Sequence, residues 1–396
     1  MADNTSIEWT DATVNAVNGC SVISPGCTNC YAMRAGGRNL PRHPSTGLTV
    51  PTKAGHVWSG EVRLDEARLL LPLRWKRPRR IFWNAHGDLF HPKVPDEWID
   101  RVFAVCALTP QHTHQILTKR SARMREYLSD PKLPKRLALV LFDMNRTGLA
   151  KFSAMFAALG DRARDDDAEF VPMPLPNVHF GVSVEDQARA DERIPDLIAT
   201  PAAVRFLSCE PLLGLIDPRL GAGFCRACGQ MTKGTIDGNC MDPASACFAG
   251  EAGVDSLINW VIVGGESGNG ARPMHPDWAR SLRDQCEAAG VPFHFKQWGA
   301  WAPLCALDES YAADFYAPIP AGRDPEAVRR CRVEQMVMQS SGRVFPLDQW
   351  SRMSGENPAA GDFAYQQGAG GMHFFHCGKK RAGRLLDGVE HNGVPA

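Results

Sequence analysis

The chain has 396 residues, of which 44% are hydrophobic and 22% are charged, and its 44 Lys and Arg residues balance 44 Asp and Glu residues. This composition is typical of a folded globular protein, and it excludes a basic or acidic field over the whole surface. The polar start of the sequence and the lack of an apolar run of membrane-spanning length predict a cytoplasmic protein, so its 13 cysteines are interpreted as thiols and metal ligands rather than disulfides.

Seven short apolar runs end in polar or glycine residues and predict buried β-strands. They are residues 7–9, 80–84, 114–118, 177–183, 204–208, 260–263 and 292–296. Amphipathic helical patterns lie between them, with predicted starts at Pro95, Ser121, Glu185 and Pro276. Strands that alternate with helices are typical of parallel βα units. The predicted fold class is therefore α/β, with a full or partial parallel βα barrel of the TIM type.

The predicted barrel core covers residues 1–301, and two insertions interrupt it. The first, at about 129–176, contains a helical pattern over Leu149–Leu159, an acidic run and a proline-rich end, and it is interpreted as a surface excursion. The second, at about 217–256, is rich in cysteine and glycine. Residues 302–396 have a weaker apolar rhythm, which predicts a less regular C-terminal extension.

Cys20, Cys27 and Cys30 form a C-x6-C-x2-C motif near the N-terminus. Thiolates are soft ligands that bind zinc or iron–sulfur centres. Three of them can hold an iron–sulfur cluster in which one iron is free of cysteine and open to a small molecule. The alternative is a zinc site that is completed by a remote fourth ligand such as His43. The spacing leaves both interpretations open, because both kinds of site use CxxC turns.

Polar residues follow the ends of the predicted strands, where parallel βα folds place their chemistry. These residues are Asp88, Lys119, Arg120, Ser183, Glu185, Glu210, Glu266, Ser267, Lys296 and Gln297. Gly264 and Gly265 precede Glu266 and allow a close approach of the backbone. A role as ordinary solvated loop residues is expected for roughly half of the group. The group as a whole predicts one concave polar site.

A second group of cysteines lies in the insertion at about 217–256. It comprises Cys225, Cys228, Cys240 and Cys247. A CxxC knuckle that is followed by two further cysteines predicts a four-cysteine zinc site, which would stabilise a segment with few apolar residues. An auxiliary iron–sulfur cluster is the second interpretation, and unliganded thiols are the third.

Basic residues that are interleaved with a tryptophan precede the second predicted strand. The basic residues are Arg74, Lys76, Arg77, Arg79 and Arg80, and the tryptophan is Trp75. Such residues contact phosphates and stack on bases, although a short basic run is more often a solvated face. Among nearby histidines, His112 and His114 are predicted to be packing residues, and the role of His91 beside Asp88 is left open.

Several stretches together resemble one protein family. They are residues 7–11, 19–32, 88–91, 115–120, 181–185, 210–214, 263–268, 295–299 and 378–388. On these stretches the chain resembles the phage-associated three-cysteine-motif proteins, a family named after phage gene products. That family in turn resembles a distant branch of the radical S-adenosylmethionine superfamily, near the spore photoproduct lyase-like proteins. The resemblance covers most of residues 5–301.

The resemblance implies a radical S-adenosylmethionine enzyme. Cys20, Cys27 and Cys30 would hold three irons of a [4Fe–4S] cluster, and S-adenosylmethionine would bind the fourth and yield a 5′-deoxyadenosyl radical. The implied cofactor-binding residues are Tyr31, Ser183, Glu185, Gly264, Gly265, Glu266 and Ser267. The implied catalytic residues are Asp88, Glu210 and Lys296.

The expected partners are a reductant protein such as a flavodoxin or ferredoxin, a nucleic-acid or nucleotide substrate, and a partner protein, but no membrane. The substrate hypothesis depends on the phage-type resemblance and on the basic stretch over residues 74–80. The competing hypothesis is a non-catalytic, zinc-stabilised protein that binds nucleic acid or serves as a phage accessory protein.

Overall fold

The computed structural model describes residues 5, 7–38, 40–41, 43–146, 171, 173–220, 223–225, 231–232, 235–236, 239–240, 254–307, 314–316, 331–347, 349–350 and 371–395. Its strands, in chain order, are β1 (Ala12–Val14), β2 (Val17–Asn18), β3 (Thr49–Thr52), β4 (Gly55–Trp58), β5 (Arg63–Leu64), β6 (Arg80–Trp83), β7 (Thr113–Thr118), β8 (Val178–Ser183), β9 (Val204–Cys209), β10 (Gly223–Cys225), β11 (Met231–Thr232), β12 (Thr235–Ile236), β13 (Asn239–Cys240), β14 (Val254–Ser256), β15 (Trp260–Gly264), β16 (Phe293–Gln297), β17 (Trp301–Pro303), β18 (Gln335–Gln339), β19 (Val344–Phe345) and β20 (Gly371–His376). Its α-helices are α1 (Tyr31–Gly36), α2 (Glu66–Leu69), α3 (Asp96–Ala107), α4 (Ser121–Leu128), α5 (Leu133–Arg146), α6 (Gln187–Ala199), α7 (Pro276–Ala289) and α8 (Lys379–Ala382).

Seven strands form a parallel sheet with the order β1-β6-β7-β8-β9-β15-β16. All of them except β1 coincide with predicted apolar runs, which confirms the α/β class and the parallel sheet. The prediction of a strand over residues 7–9 is wrong, because the strand is Ala12–Val14, which pairs with β6 through Ala12 and Ile81. Trp9 is nevertheless buried, because its ring packs edge-on against Phe82, with the two ring centroids 4.9 Å apart.

Burial on both faces explains why the sheet strands read as continuous apolar runs. All residues of β15 (Trp260–Gly264) are buried, and so are Ile81, Phe82 and Trp83 of β6. A strand with an exposed face would instead alternate apolar and polar side chains. The continuous apolar runs therefore indicate that both faces of the sheet are covered.

Helix boundaries follow local signals in the sequence. α3 starts directly after Pro95 and carries acidic residues in its first turn, where they favour the positive end of the helix dipole. α7 starts at Pro276, and the side chain of His275 accepts the N–H of Asp277 at 3.2 Å. It ends at Gly290, whose φ of +64° is the left-handed conformation that glycine adopts without strain. The predicted starts of these two helices are confirmed.

The first insertion contains a helix that the sequence did not predict. α5 (Leu133–Arg146) buries Leu137, Leu141 and Met144. The predicted helix over Leu149–Leu159 lies outside the described residues, as does the acidic run. In the second insertion, the described residues form the small antiparallel sheets β11-β10-β14 and β12-β13.

The chain forms two compact units. The first contains Met1–Ser183 and Asp191–Leu207, and the second contains Val184–Ala190 and Ser208–Ala396. Within the first unit, the rings of Phe103 and Phe180 stack with their centroids 5.8 Å apart. Within the second unit, β17-β20-β18-β19 form an antiparallel sheet. The predicted boundary after residue 301 stays a prediction. In the described part of the chain, no helix has both the length and the apolar character that a bilayer span requires.

Burial holds His86, His114, His179 and His373 neutral. Burial lowers the pKa of His114 to about 3, and it lowers the pKa values of His86, His179 and His373 to about 4. The ring of His114 accepts the indole N–H of Trp83 at Nδ1, at 3.0 Å, and is fully buried. Such a ring binds a proton more readily in the unfolded chain than in the folded protein, so these groups make the stability of the protein depend on pH.

Lowering the pH from 7 to 5 is therefore expected to destabilise the protein. A histidine in an unfolded chain has a pKa of about 6.5, above the folded values, so below that pH the unfolded state binds more protons and stability falls by about 1.4 kcal/mol per pH unit for each such proton. Urea midpoints across this range measure the effect. His114→Asn should flatten the dependence of the midpoint on pH, and His56→Asn is the control. A midpoint that does not change between pH 7 and 5 would contradict the linkage.

Candidate functional site

The three N-terminal cysteines lie on the connection between β2 and α1. Cys20 follows Gly19, which has a φ of +98° and where a Cβ would lie 2.1 Å from the backbone oxygen of Glu61. Only glycine fits that position, and it fixes the direction in which the chain enters the motif. Cys27 ends a short 3-10 helix, and Cys30 is the residue before the first turn of α1. Local turn chemistry thus brings all three cysteines onto one connection.

Two of the sulfurs have donors beside them although both are largely withdrawn from water. Burial raises the pKa of the Cys20 thiol to about 12, Asp88 adds to this, and the guanidinium of Arg120 opposes it. Burial also raises the pKa of the Cys30 thiol, while two backbone N–H groups of α1 that hydrogen-bond to it act in the opposite direction. In the metal-free protein these two thiols carry their protons at neutral pH. A metal must displace those protons, so its affinity will rise with pH.

The chemistry of the donor set fits a soft metal centre, because three thiols occupy one short connection. Within the described ranges, no group of three His, Cys, Asp or Glu side chains is arranged to hold a metal ion. His43, the fourth ligand in the zinc alternative, packs edge-on against the ring of His86 at 4.8 Å, and its Nδ1 accepts the N–H of Ser45. The choice between zinc and an iron–sulfur cluster stays open at this point.

Asp88 and Arg120 form a buried ion pair beside Cys20. The guanidinium NH1 donates to Asp88 Oδ2 at 2.8 Å and to Cys20 Sγ at 3.5 Å. The NH2 group donates to the backbone oxygen of Ser21 at 3.2 Å and to its hydroxyl at 2.8 Å. One guanidinium therefore binds the carboxylate, the first cysteine and the residue after it.

The carboxylate of Asp88 is saturated by donors. Its Oδ1 accepts the N–H of Phe90 at 3.0 Å and the hydroxyl of Thr118 at 2.7 Å. Its Oδ2 accepts the N–H of Lys119 at 3.1 Å in addition to the guanidinium of Arg120. A carboxylate with these four bonds is poorly placed to take a proton from a substrate. The arrangement favours a positioning role over the predicted catalytic one.

His91 has its tautomer fixed by the backbone. The N–H of Lys93 donates to Nδ1 at 3.2 Å, which leaves the ring proton on Nε2, 3.0 Å from the hydroxyl oxygen of Ser21. Burial, with Arg120 as the next cause, lowers the pKa of His91 to about 4. His91 is thus a hydrogen-bond donor to Ser21, and this pair does not have the orientation of a nucleophile and its general base.

Tyr31 and Ser183 are the two predicted cofactor-binding residues of the first unit. The Tyr31 hydroxyl donates to the backbone oxygen of Ala85 at 2.6 Å, and its ring meets His86 edge-on with the centroids 5.7 Å apart. Tyr31 is 59% exposed. Ser183 is buried at the end of β8, and its backbone oxygen accepts a bond from Arg193 at 2.9 Å. Tyr31 is therefore open to solvent, whereas Ser183 is buried.

The second unit brings four predicted strand-end residues together. Lys296 Nζ donates to both carboxylate oxygens of Glu210, at 2.7 and 2.8 Å. The side-chain amide of Gln297 donates to Glu210 Oε1 at 3.3 Å and to the hydroxyl of Ser267 at 3.1 Å. The lysine side chain is 12% exposed and the glutamate side chain 23%, so the ion pair is largely shielded from water. This chain of polar groups confirms that β9, β15 and β16 end beside one another.

Glu266 and Glu185 have different surroundings. The carboxylate of Glu266 is clasped by Arg272, whose Nε and NH2 donate at 2.9 and 2.7 Å and whose backbone N–H donates at 2.8 Å. Glu185 is fully buried, and its backbone oxygen accepts the N–H of Leu213 at 2.8 Å. A cationic group of a ligand would have to displace Arg272 before it could bind Glu266.

Gly264 and Gly265 allow the backbone approach that the sequence predicted. A Cβ at Gly265 would lie 1.9 Å from the backbone oxygen of Trp298, whereas at Gly264 the nearest atom is a side-chain carbon of Glu210 at 3.3 Å. The two glycines thus differ in what they touch, since one meets backbone and the other meets a side chain.

Comparison with protein families gives one match. A family model described as a protein of unknown function, DUF5131, matches residues 4–395. The chain belongs to the DUF5131 family. No curated protein and no solved structure matches the chain at significant similarity. The ion pairs Asp88–Arg120 and Glu210–Lys296, and all other predicted site residues, lie within the stretch that matches the family model.

The second group of cysteines is described only in part. Cys225 and Cys240 end the short strands β10 and β13, and Cys228 and Cys247 lie outside the described residues. The zinc site, the auxiliary cluster and the unliganded thiols therefore all remain predictions for this insertion.

The basic stretch before β6 divides into bound and exposed residues. Arg80 is paired with Asp11, to which it donates from its backbone at 2.8 Å and from its guanidinium at 3.0 and 3.3 Å. The guanidinium of Arg79 lies over the ring of Trp75, 4.7 Å from the centroid. Arg74, Lys76 and Arg77 are exposed. Contact with a phosphate chain would fall to these exposed residues.

Two functional candidates were missed by the sequence reasoning. Arg272 lies six residues after Glu266, a spacing that belongs to no motif. Ser21 lies next to Cys20, and its bonds to Arg120 and His91 depend on residues about 70 and 100 positions away. The only available signal was that Ser21 follows a cysteine of the motif.

Proposed function

We propose that the chain is a radical S-adenosylmethionine enzyme whose [4Fe–4S] cluster is held by Cys20, Cys27 and Cys30. The supporting observation is that one connection carries all three thiols, with the guanidinium of Arg120 directed at Cys20 and two helix N–H groups directed at Cys30. Donors of this kind favour thiolate ligands and tune the metal they hold. A bound cluster and its nucleoside cofactor supply the 5′-deoxyadenosyl radical that abstracts hydrogen.

The remaining predicted residues are proposed to bind and orient. In the first unit, Tyr31 and Ser183 are assigned to the cofactor. In the second unit, Lys296 and Glu210 would fix polar groups of the substrate. The second-unit residues assigned to the cofactor are Glu185, Gly264, Gly265, Glu266 and Ser267. Support comes from the shielding of the ion pair between Lys296 and Glu210, since a shielded pair interacts strongly with a bound polar group.

The proposed substrate is a nucleic acid or a nucleotide, and the proposed electron donor is a protein of the flavodoxin or ferredoxin class. Arg74, Lys76 and Arg77 support the substrate assignment, because they are exposed beside Trp75 in a chain of zero net charge. Phosphates bind such side chains, and bases stack on indole rings. A partner protein and a cytoplasmic setting are part of the same proposal.

Anaerobic purification and reconstitution test the function. We expect brown protein with about four irons and matching sulfide at the first site. Dithionite with S-adenosylmethionine should then release 5′-deoxyadenosine and methionine, which mass spectrometry detects. Zinc in place of iron, with no cleavage of the cofactor, would overturn the proposal and favour the zinc-stabilised accessory protein.

Nucleic-acid binding is expected to weaken when the exposed basic residues are removed. Each lost phosphate contact reduces counterion release, so Arg74→Ala and Arg77→Ala should each reduce the magnitude of the slope of log affinity against log salt by about 0.7 on single strands. Fluorescence anisotropy with labelled single-stranded oligonucleotides at several salt concentrations measures the slope. Arg146→Ala is the matched control, because Arg146 is exposed but paired with Asp143 at 2.8 Å. Absent binding, or equal slopes in all variants, would remove this substrate class.

A further inference from the structure

We propose that Arg120 is a positioning residue that tunes the metal centre through the Cys20 sulfur, and that Asp88 is the anchor that holds Arg120 in place. The inference rests on the proposed function, because it concerns a centre that Cys20 helps to bind. It concerns residues outside the cysteine motif, at the ends of two sheet strands. Asp88 follows β6 and Arg120 follows β7.

The geometry shows one guanidinium shared between two acceptors. Arg120 NH1 lies 2.8 Å from the Asp88 carboxylate and 3.5 Å from Cys20 Sγ, and NH2 holds both oxygens of Ser21. The planar guanidinium presents its donors in a rigid array, which lysine cannot reproduce. Arg120 therefore fixes the position of the backbone beside Cys20 as well as the sulfur itself.

Burial makes the charges of this pair effective. The side chains of Arg120 and Asp88 are 9% and 7% exposed, so water screens them weakly. The surroundings of Asp88 are complete without the arginine, because Phe90, Thr118 and Lys119 also donate to it. The carboxylate is thus held rigidly, and it holds the guanidinium at the sulfur.

The two charges should act on the centre in opposite directions. Reduction adds a negative charge to an iron–sulfur cluster, and hydrogen bonds and positive charge at its sulfurs favour that state. Arg120 therefore raises the reduction potential, and the carboxylate of Asp88 lowers it. A merely structural role for the pair predicts no such opposition of sign.

Redox titration of the reconstituted protein, followed by electron paramagnetic resonance, tests this inference. Arg120→Gln should shift the potential to a more negative value. Asp88→Asn removes the negative charge but keeps a side-chain oxygen that accepts from Arg120, so it should shift the potential to a less negative value. Arg123→Gln is the matched control, because Arg123 donates to the backbone oxygens of His91 and Val94 rather than to a cysteine. Its potential should equal that of the wild type.

Unchanged potentials in both variants, or shifts in the same direction, would overturn the inference while the proposed function stands. If the wild-type protein forms no iron–sulfur cluster, the proposed function fails and this inference falls with it. If Arg120→Gln loads no iron, the urea unfolding midpoint of the metal-free variant decides. A midpoint equal to that of Arg123→Gln supports a role of the guanidinium at the metal centre, and a clearly lower midpoint assigns Arg120 to folding and overturns the inference.

Discussion

Replacing Cys30 by alanine is expected to reduce the iron bound after anaerobic reconstitution from about four atoms per chain to background. The reason is that a cluster held by three cysteines has no spare protein ligand, and loss of one thiolate leaves two irons without protein support. Formation of 5′-deoxyadenosine should disappear together with the iron. Iron and sulfide assays and mass spectrometry on the same sample measure both results. Cys20→Ala and Cys27→Ala should behave in the same way.

Cys305→Ala is the control for this experiment. Cys305 is an exposed thiol outside the motif, and Arg280 donates to its sulfur at 3.7 Å. Its removal should leave iron content and cofactor cleavage unchanged, even though a guanidinium contacts it as Arg120 contacts Cys20. Full iron content in the Cys30→Ala protein would show that the ligand assignment is wrong.

The sheet could be predicted because strands that are buried on both faces appear in the sequence as continuous apolar runs. A strand covered on both sides needs apolar residues at every position, as in Trp260–Gly264. The wrong prediction at residues 7–9 has a related cause, because a short apolar segment with a buried aromatic residue resembles a strand in the sequence, although these residues form a turn in which the N–H of Thr10 donates to Ile7 O at 3.3 Å. The burial of Trp9 comes from packing on Phe82 and not from membership in the sheet.

α5 was not predicted because a proline in its first turn and exposed apolar residues obscure its helical pattern. Pro134 lies in its first turn, where proline is tolerated, but proline in a sequence more often indicates a break. Leu139 and Phe142 are 62% and 59% exposed, so apolar residues occur on the outer side of the helix as well as on the buried one. The buried residues Leu137, Leu141 and Met144 nevertheless recur at i, i+4 and i+7, so a helical pattern is present and was obscured by the proline and the exposed apolar residues.

The candidate site could be predicted as a set of residues but not as a set of contacts. Strand ends identified Asp88 and Arg120 in the first unit and Glu210 and Lys296 in the second, because within each unit adjacent parallel strands end beside one another. The pairing of Asp88 with Arg120 depends on the adjacent parallel strands β6 and β7, which no local pattern specifies. The same limit explains why Arg272 was missed.

Replacing Gly265 by alanine is expected to destabilise the second unit strongly, by about 3 kcal/mol or more, which is the upper part of the range for overpacking. The added Cβ would lie 1.9 Å from the oxygen and 2.5 Å from the carbonyl carbon of Trp298, so backbone would have to move. That movement is opposed by the bond from the Gly265 N–H to Gln297 O at 2.9 Å and by the bond from the Ala300 N–H to Glu266 O at 2.8 Å. Thermal and urea unfolding measure the loss.

Gly264→Ala is the matched control, because it adds the same methyl group one position earlier in the chain. There the nearest atoms belong to the side chain of Glu210, at 3.3 to 3.4 Å, which can give way by a few tenths of an ångström. We expect a loss of about 1 kcal/mol or less for this variant. Since both variants remove a glycine beside the same strand end, the difference between them isolates the backbone contact at Gly265. Equal unfolding midpoints for the two variants would show that this contact does not hold the loop that carries Glu266.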